Sequence, residues 1–309
     1  MNAVSALGAA APLTSGGVAL ATTPDALGML TETDPASPAA LLRERMARDG
    51  YVLLRGLLDR TAVHDARAEI TRRLAAAGAL RRGTDPLDAR ADRAARKLDR
   101  EVRAGLARGN RPLHDLLYGP AMMGFFARFF GEAACHYDFT WFRAVAPGPG
   151  TPAHADVVFM GRAERERLFT AWTPIGAVDL VQGGLMVLEG SCRTPALERA
   201  YYPLDVDARC TNAADPRDEW EKGSNGWLGT DPAMIRHRLG GRWLTASYAA
   251  GDVLLFSVFT VHASLDNRSD RIRLSADSRY QPASAPADER WIGPNPPGHG
   301  PGGKRDLIC

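Results

Sequence analysis

The chain has 309 residues, 45% of them hydrophobic, and its 38 Lys+Arg against 36 Asp+Glu leave a formal charge of +2. Such a balance excludes the basic footprint of a nucleic-acid binder, and no run of eighteen apolar residues offers a transmembrane helix. The four cysteines (Cys135, Cys192, Cys210 and Cys309) lack C-x-x-C spacing and define neither a zinc ribbon nor a disulfide framework.

Residues 1–37 are Ala, Gly, Ser, Thr and Pro without a sustained period and read as a flexible arm. No Lys or Arg precedes Arg43, so the charged start of a secretory signal is missing and a cytoplasmic location is expected. Pro38 opens a helical pattern that ends at Asp49-Gly50, and Tyr51–Arg55 is a short strand. Asp59 or Thr61 caps the next helix, whose Val63, Ala66, Ile70 and Leu74 recur at helical spacing. A charged helix over 90–108 with Leu98, Val102 and Leu106 as its stripe follows, then an amphipathic one carrying Met122, Phe125, Phe126, Phe129 and Phe130. Helices dominate this lead-in, 38–131.

From His136 the pattern alternates with period 2. Strand-like runs at 136–145, 152–159, 167–175, 184–189, 251–261 and 271–280 are separated by Gly/Pro turns, the signature of a sandwich, barrel or jelly roll. The expected fold is mainly β with flanking helices, a single domain over 38–290 whose core is 132–282. A polar insertion at 192–244, holding Trp220 and Trp227, reads as a lid or binding loop, and 291–309 as a flexible tail.

Seven histidines are present, one in His154-Ala-Asp156 and one, His262, ending the apolar run from Val253. Two imidazoles and a carboxylate on one face of an iron leave three positions open, the facial triad of non-haem Fe(II) oxygenases. The tripeptide alone carries little, because seven histidines among so many acids give roughly 0.8 H-x-[DE] matches by chance. A second match, His136-Tyr-Asp138, is indeed present. Context adds weight: Arg273-Leu-Ser275 puts a guanidinium and a hydroxyl on one strand face, suited to a carboxylate. Arg271 and Arg279 share that parity and are rivals.

The stretch from Gly251-Asp-Val-Leu-Leu-Phe through His262-Ala-Ser264 to Arg273 resembles the phytanoyl-CoA dioxygenase (PhyH-like) family of Fe(II)/2-oxoglutarate oxygenases. Asp49-Gly-Tyr-Val-Leu-Leu-Arg-Gly56 and Gly183-Gly-Leu-Met-Val-Leu-Glu-Gly-Ser191 resemble two further family segments. Cys192 stands where the family usually has a histidine. The resemblance covers roughly residues 40 to 282 and implies a double-stranded β-helix of cupin-like type, with His154, Asp156 and His262 as iron ligands. It implies that Arg273, with Ser275, binds the far carboxylate of 2-oxoglutarate, and that Ser264 and Trp172 line the cosubstrate pocket. His136 and Asp138 lie out of place relative to these landmarks. The implied activity uses O2 and 2-oxoglutarate to oxidise an unactivated C–H bond of a small molecule, releasing succinate and CO2. Related halogenases need a small residue where this chain has Asp156, so halogenation is not expected. Hydroxylation, desaturation, cyclisation and epimerisation share the same ligands. The rival reading is a cupin-like metal protein that does not use 2-oxoglutarate; it gives Arg273 and Ser275 no task.

Candidates for substrate contact are Phe159, Met160 and Arg162, which follow the first ligands, together with Trp141 and Arg143 on the first core strand and Trp227 in the insertion. The Ala/Arg/Gly-rich composition suggests a GC-rich bacterial source, where the resembled family often tailors specialised metabolites.

Overall fold

The computed structural model describes residues 12–93, 100–207 and 226–299. Two sheets face each other as a double-stranded β-helix. In chain order the strands are β1 (Thr14–Ser15), β2 (Val18–Ala19), β3 (Leu27–Met29), β4 (Glu32–Thr33), β5 (Tyr51–Leu54), β6 (Ala134–His136) and β7 (Trp141–Val145). They continue with β8 (Phe169–Pro174), β9 (Leu185–Leu188), β10 (Trp243–Thr245), β11 (Val253–Ser257), β12 (His262–Ser264) and β13 (Arg273–Pro282). The major sheet runs β4-β5-β11-β8-β13-β6, with β7 also paired to β13; the minor sheet runs β12-β9-β10-β3.

The helices are α1 (Ala39–Asp49), α2 (Arg60–Ala76), α3 (Arg100–Ala107), α4 (Arg111–Tyr118), α5 (Pro120–Phe130), α6 (Val157–Met160), α7 (Pro195–Ala200) and α8 (Pro232–Leu239). None of the described helices is long and apolar enough to cross a membrane. Alternation along the strands explains the layering. Val253 and Leu255 of β11, with Leu274, Ala276 and Tyr280 of β13, point outward into a core shared with α1, α2, α4 and α5. Leu254 and Phe256 point inward with Trp172 and meet Leu185, Val187 and Leu244 of the minor sheet. The α5 stripe reads as expected: Phe126 stacks on Tyr280 at 3.9 Å and Phe129 packs edge-on to Phe169. Each such buried aromatic contributes about 1.5–3 kcal/mol.

Asp59 is the cap of α2, its carboxylate accepting from Ala62 N at 2.9 Å. Gly50 closes α1 at φ 77°, and a Cβ there would lie 2.7 Å from Thr260 Oγ1 and 2.8 Å from Cys192 Sγ. Both the left-handed backbone and the close approach require glycine. Gly50→Ala is therefore expected to lower the unfolding free energy by about 2 kcal/mol or more, read from denaturant midpoints.

Five expectations need correction. Residues 12–37 are not a flexible arm: β3 extends the minor sheet in parallel to β10, and Leu13, Leu20, Leu27 and Leu30 are buried. Small residues there serve tight turns rather than disorder; Gly16 and Gly17 donate their backbone N–H groups to Asp266. The strand expected at 136–145 is two strands, because Asp138 N and Phe139 N turn aside to Trp291 O. That same contact packs the start of the supposed tail, where Trp291 is fully buried. The strand expected at 152–159 ends after two isolated bridges, and all four residues of α6 are buried. An apolar run buried on every side has no period by which to choose strand over helix. Finally, the helix does not start at Arg90, which instead bridges Arg271; α3 is described over Arg100–Ala107, and Leu98 lies outside the described residues.

The insertion at 192–244 is partly built structure, with Leu197, Tyr201, Tyr202 and Ile235 of its α7–α8 region buried. Trp220 lies outside the described residues, and Trp227 is 41% exposed.

Candidate metal centre

The two histidines are brought together by their own backbones. His154 N donates to His262 O at 3.0 Å and His262 N to His154 O at 2.8 Å, a mutual bridge that joins the segment after the Pro/Gly turn to β12. Their rings follow, with centroids 4.3 Å apart. The chain then turns helical at Asp156, which swings its carboxylate toward both rings. Asp156 Oδ1 lies 3.8 Å from His154 Nε2 and 3.9 Å from His262 Nε2. One donor atom from each of the three residues lies within 4.8 Å of the others, and all three residues are buried.

The donor set is ready for a metal. His154 Nδ1 lies 2.8 Å from Pro152 O and His262 Nδ1 lies 3.0 Å from Thr260 O. A carbonyl only accepts, so each Nδ1 carries a proton and each Nε2 is the nitrogen left facing the shared space. Burial, helped by the neighbouring His262, pushes the His154 imidazolium down to about 3, so the ring is neutral at physiological pH. Burial alone would raise Asp156, but Arg279, both histidines and Thr170 hold its carboxyl well below the usual range. Two imidazoles and one carboxylate fit a hard-to-borderline divalent cation such as Fe(II).

The inner face of β13 carries Arg273, Ser275, Asp277 and Arg279 in alternation. The three arginines that parity could not separate have different surroundings. Arg271 is half-exposed beside Asp88, at 3.7 Å. Arg279 donates through Nη2 to Asp156 Oδ2 at 2.7 Å. Arg273 is 2% exposed, donates Nη1 to Ser275 Oγ at 2.8 Å, and has no carboxylate partner among the described residues. Its Nε is buried without any hydrogen-bond partner, and burial pushes its pKa down to about 10. A desolvated cation left unpaired is costly, and the arrangement invites an anion. Trp172 lies 5.8 Å from the same guanidinium and packs against Tyr248. Ser264 stands two residues past His262, fully buried, its hydroxyl accepting from Thr151 N at 2.7 Å.

The other candidates divide. Phe159 meets the His154 ring edge-on at 5.5 Å. Met160 is buried among core side chains, and Arg162 pairs with Asp205 at 2.7 Å. Arg143 lies opposite Ser275 on β7, donates Nε to Asp277 at 2.9 Å, and keeps 39% of its side chain exposed. Trp141 lies under Arg279 at 4.3 Å. His136 and Asp138 are apart from this centre, with His136 stacked on Tyr118. Sequence reasoning missed Thr170 and Asp277; both sit at inward positions of strands already recognised, and that parity was the available signal.

Comparisons with known proteins agree with this geometry. The profile of the phytanoyl-CoA dioxygenase (PhyH) family matches residues 46–275. The 1-deoxypentalenic acid 11-beta-hydroxylase of Streptomyces arenae is 28% identical over 271 residues, covering 82% of this chain and 87% of the relative. Its counterpart in Streptomyces exfoliatus is also 28% identical, over 273 residues and the same shares of both chains. Among solved structures, EctD from S. alaskensis with 2-oxoglutarate and 5-hydroxyectoine superposes with a TM-score of 0.54 at 18% identity, covering 96% of this chain and 94% of that one. The α-ketoglutarate-dependent epimerase SnoN from nogalamycin biosynthesis gives 0.52 at 21% identity, covering 85% and 93%. The last two likenesses speak for the fold. The family match spans most of the described core and both sides of the triad, and the chain belongs to the phytanoyl-CoA dioxygenase family of Fe(II)/2-oxoglutarate-dependent oxygenases.

Proposed function

We propose that the chain hydroxylates a C–H bond of a small organic molecule in bacterial specialised metabolism. His154, Asp156 and His262 would hold the iron. Arg273 with Ser275 would bind the far carboxylate of 2-oxoglutarate, with Trp172 and Ser264 beside it. The observation that carries the reading is the buried Arg273, without a carboxylate partner among the described residues, on the strand that also supports the metal's carboxylate ligand. Iron with 2-oxoglutarate and O2 supplies the oxidising power, with release of succinate and CO2. The protein supplies orientation and exclusion of water. The backbone bridge fixes both imidazoles, the Nδ1 hydrogen bonds fix their tautomers, and the apolar interior of Leu254, Phe256, Leu185 and Val187 keeps the surroundings dry.

Hydroxylation is favoured over the other outcomes by the two Streptomyces relatives, named as hydroxylases across most of the chain. Those relatives are also named for an acid. Arg143, with one nitrogen on Asp277 and its side chain partly exposed, is suited to meet a substrate carboxylate. Phe159 and Trp141 would provide the apolar contacts.

The test is anaerobic. Adding Fe(II) and then 2-oxoglutarate should give the visible charge-transfer band of the chelate, and admitting O2 should release succinate. Bound iron without a band would favour a cupin-like protein that does not use 2-oxoglutarate, and an absence of bound iron would sink the site assignment.

A further inference from the structure

Asp156 offers two oxygens, and the fold uses them differently. Oδ1 faces the two Nε2 atoms. Oδ2 accepts from Thr170 Oγ1 at 2.6 Å and from Arg279 Nη2 at 2.7 Å. These two donors are direct cross-strand partners, Arg279 on β13 opposite Thr170 on β8, so sheet register brings them to one atom. Arg279 is itself rigid: it is 2% exposed, its Nη1 donates to Asp277 O at 2.9 Å, and its guanidinium lies over the Trp141 ring at 4.3 Å. Trp141 is backed in turn by buried Trp291, whose ring centroid is 4.7 Å away. Arg279 and Trp291 both lie beyond the stretch that the family profile matches.

We infer that Arg279 is a positioning residue for the metal's carboxylate ligand, holding Asp156 Oδ2 out of coordination so that Oδ1 alone faces the iron. The inference rests on the triad being the iron site. A two-histidine, one-carboxylate centre keeps three positions open only if the carboxylate binds through one oxygen. A second oxygen drawn to the metal would occupy a position that the chelating cosubstrate needs. The charge-assisted bond from Arg279 opposes that movement, with Thr170 as the weaker partner.

Cobalt(II) serves as the probe, since its visible d–d bands report coordination. Arg279→Gln should keep its fold and bind Co(II) within about tenfold of the unmodified protein, while its d–d bands change and 2-oxoglutarate binds about tenfold or more weakly. Arg279→Lys, which restores a charged donor, should recover most of both. Two results would overturn the inference: d–d bands and cosubstrate titration unchanged in Arg279→Gln, or loss of Co(II) and 2-oxoglutarate in step with thermal stability. Should Arg279→Gln fail to fold, Thr170→Val removes the other donor without touching a charge, and unaltered bands there would equally end the proposal. Failure of the unmodified protein to bind Co(II) would instead strike the metal site itself.

Discussion

Replacing Arg273 with methionine is expected to leave the ligand-free protein at least as stable as before, while removing its response to 2-oxoglutarate. The two halves have one cause. In the free protein Arg273 is a buried cation with no carboxylate in direct contact among the described residues, donating to Ser275. Trading an uncompensated buried charge for an apolar side chain of similar length removes a desolvation cost. The same trade leaves a bound dicarboxylate with a buried carboxylate and no counter-charge, costing about 2–5 kcal/mol, or roughly 30- to 5,000-fold in affinity. Thermal melting with and without 2-oxoglutarate reads both effects, because a ligand that binds only the folded state raises the midpoint. A variant that melts well below the unmodified protein without ligand would show Arg273 to be a structural residue instead.

The second large effect separates two ways of losing the metal. His154→Ala and Asp156→Ala should each lower turnover at least about a thousandfold, since the metal's contribution amounts to several kcal/mol of barrier. Their effects on stability should differ. His154→Ala removes a neutral ring held by one carbonyl contact. Asp156→Ala strands Arg279, whose ion pair with Asp156 is almost wholly out of solvent, and the loss of one partner of such a pair costs about 3–5 kcal/mol. Metal content and denaturant midpoints measured together test this. Equal destabilisation by the two substitutions would contradict the ion pair's role.

The metal ligands and the strands that present them could be read from the chain because the evidence is local there. Alternation marked β11 and β13, a Pro/Gly turn preceded His154, and the spacing from His262 to Arg273 matched a known family. Parity alone could not choose Arg273 over Arg271 and Arg279; the family resemblance did, and in three dimensions the three have different partners. The exchange between Arg279 and Asp156 spans 123 residues of sequence and leaves no local mark. Misreadings arose where composition stood in for packing. Gly16 and Gly17 suggested mobility, yet their small size is what lets the backbone approach Asp266. The Pro- and Gly-rich end concealed Trp291 and Arg290, which are fully buried beside Trp141 and Asp207.

The docking of the first strands on Asp266 and Ser264 has a consequence for how the molecule comes into being. Ser15 Oγ donates to Ser264 O across 249 residues, and Gly16 N to Asp266 across 250. The segments are separated by that whole length of chain, so the residues that close the minor sheet wait until it has been made before their partners exist. Until β3 takes its place, β10 keeps an open edge, a template on which another chain can add. Contacts of such long separation also pay their loop-closure entropy before they are rewarded, which makes the final closure slow. Residues 14–29 are thus among the last to be set, although they are made well before their partners.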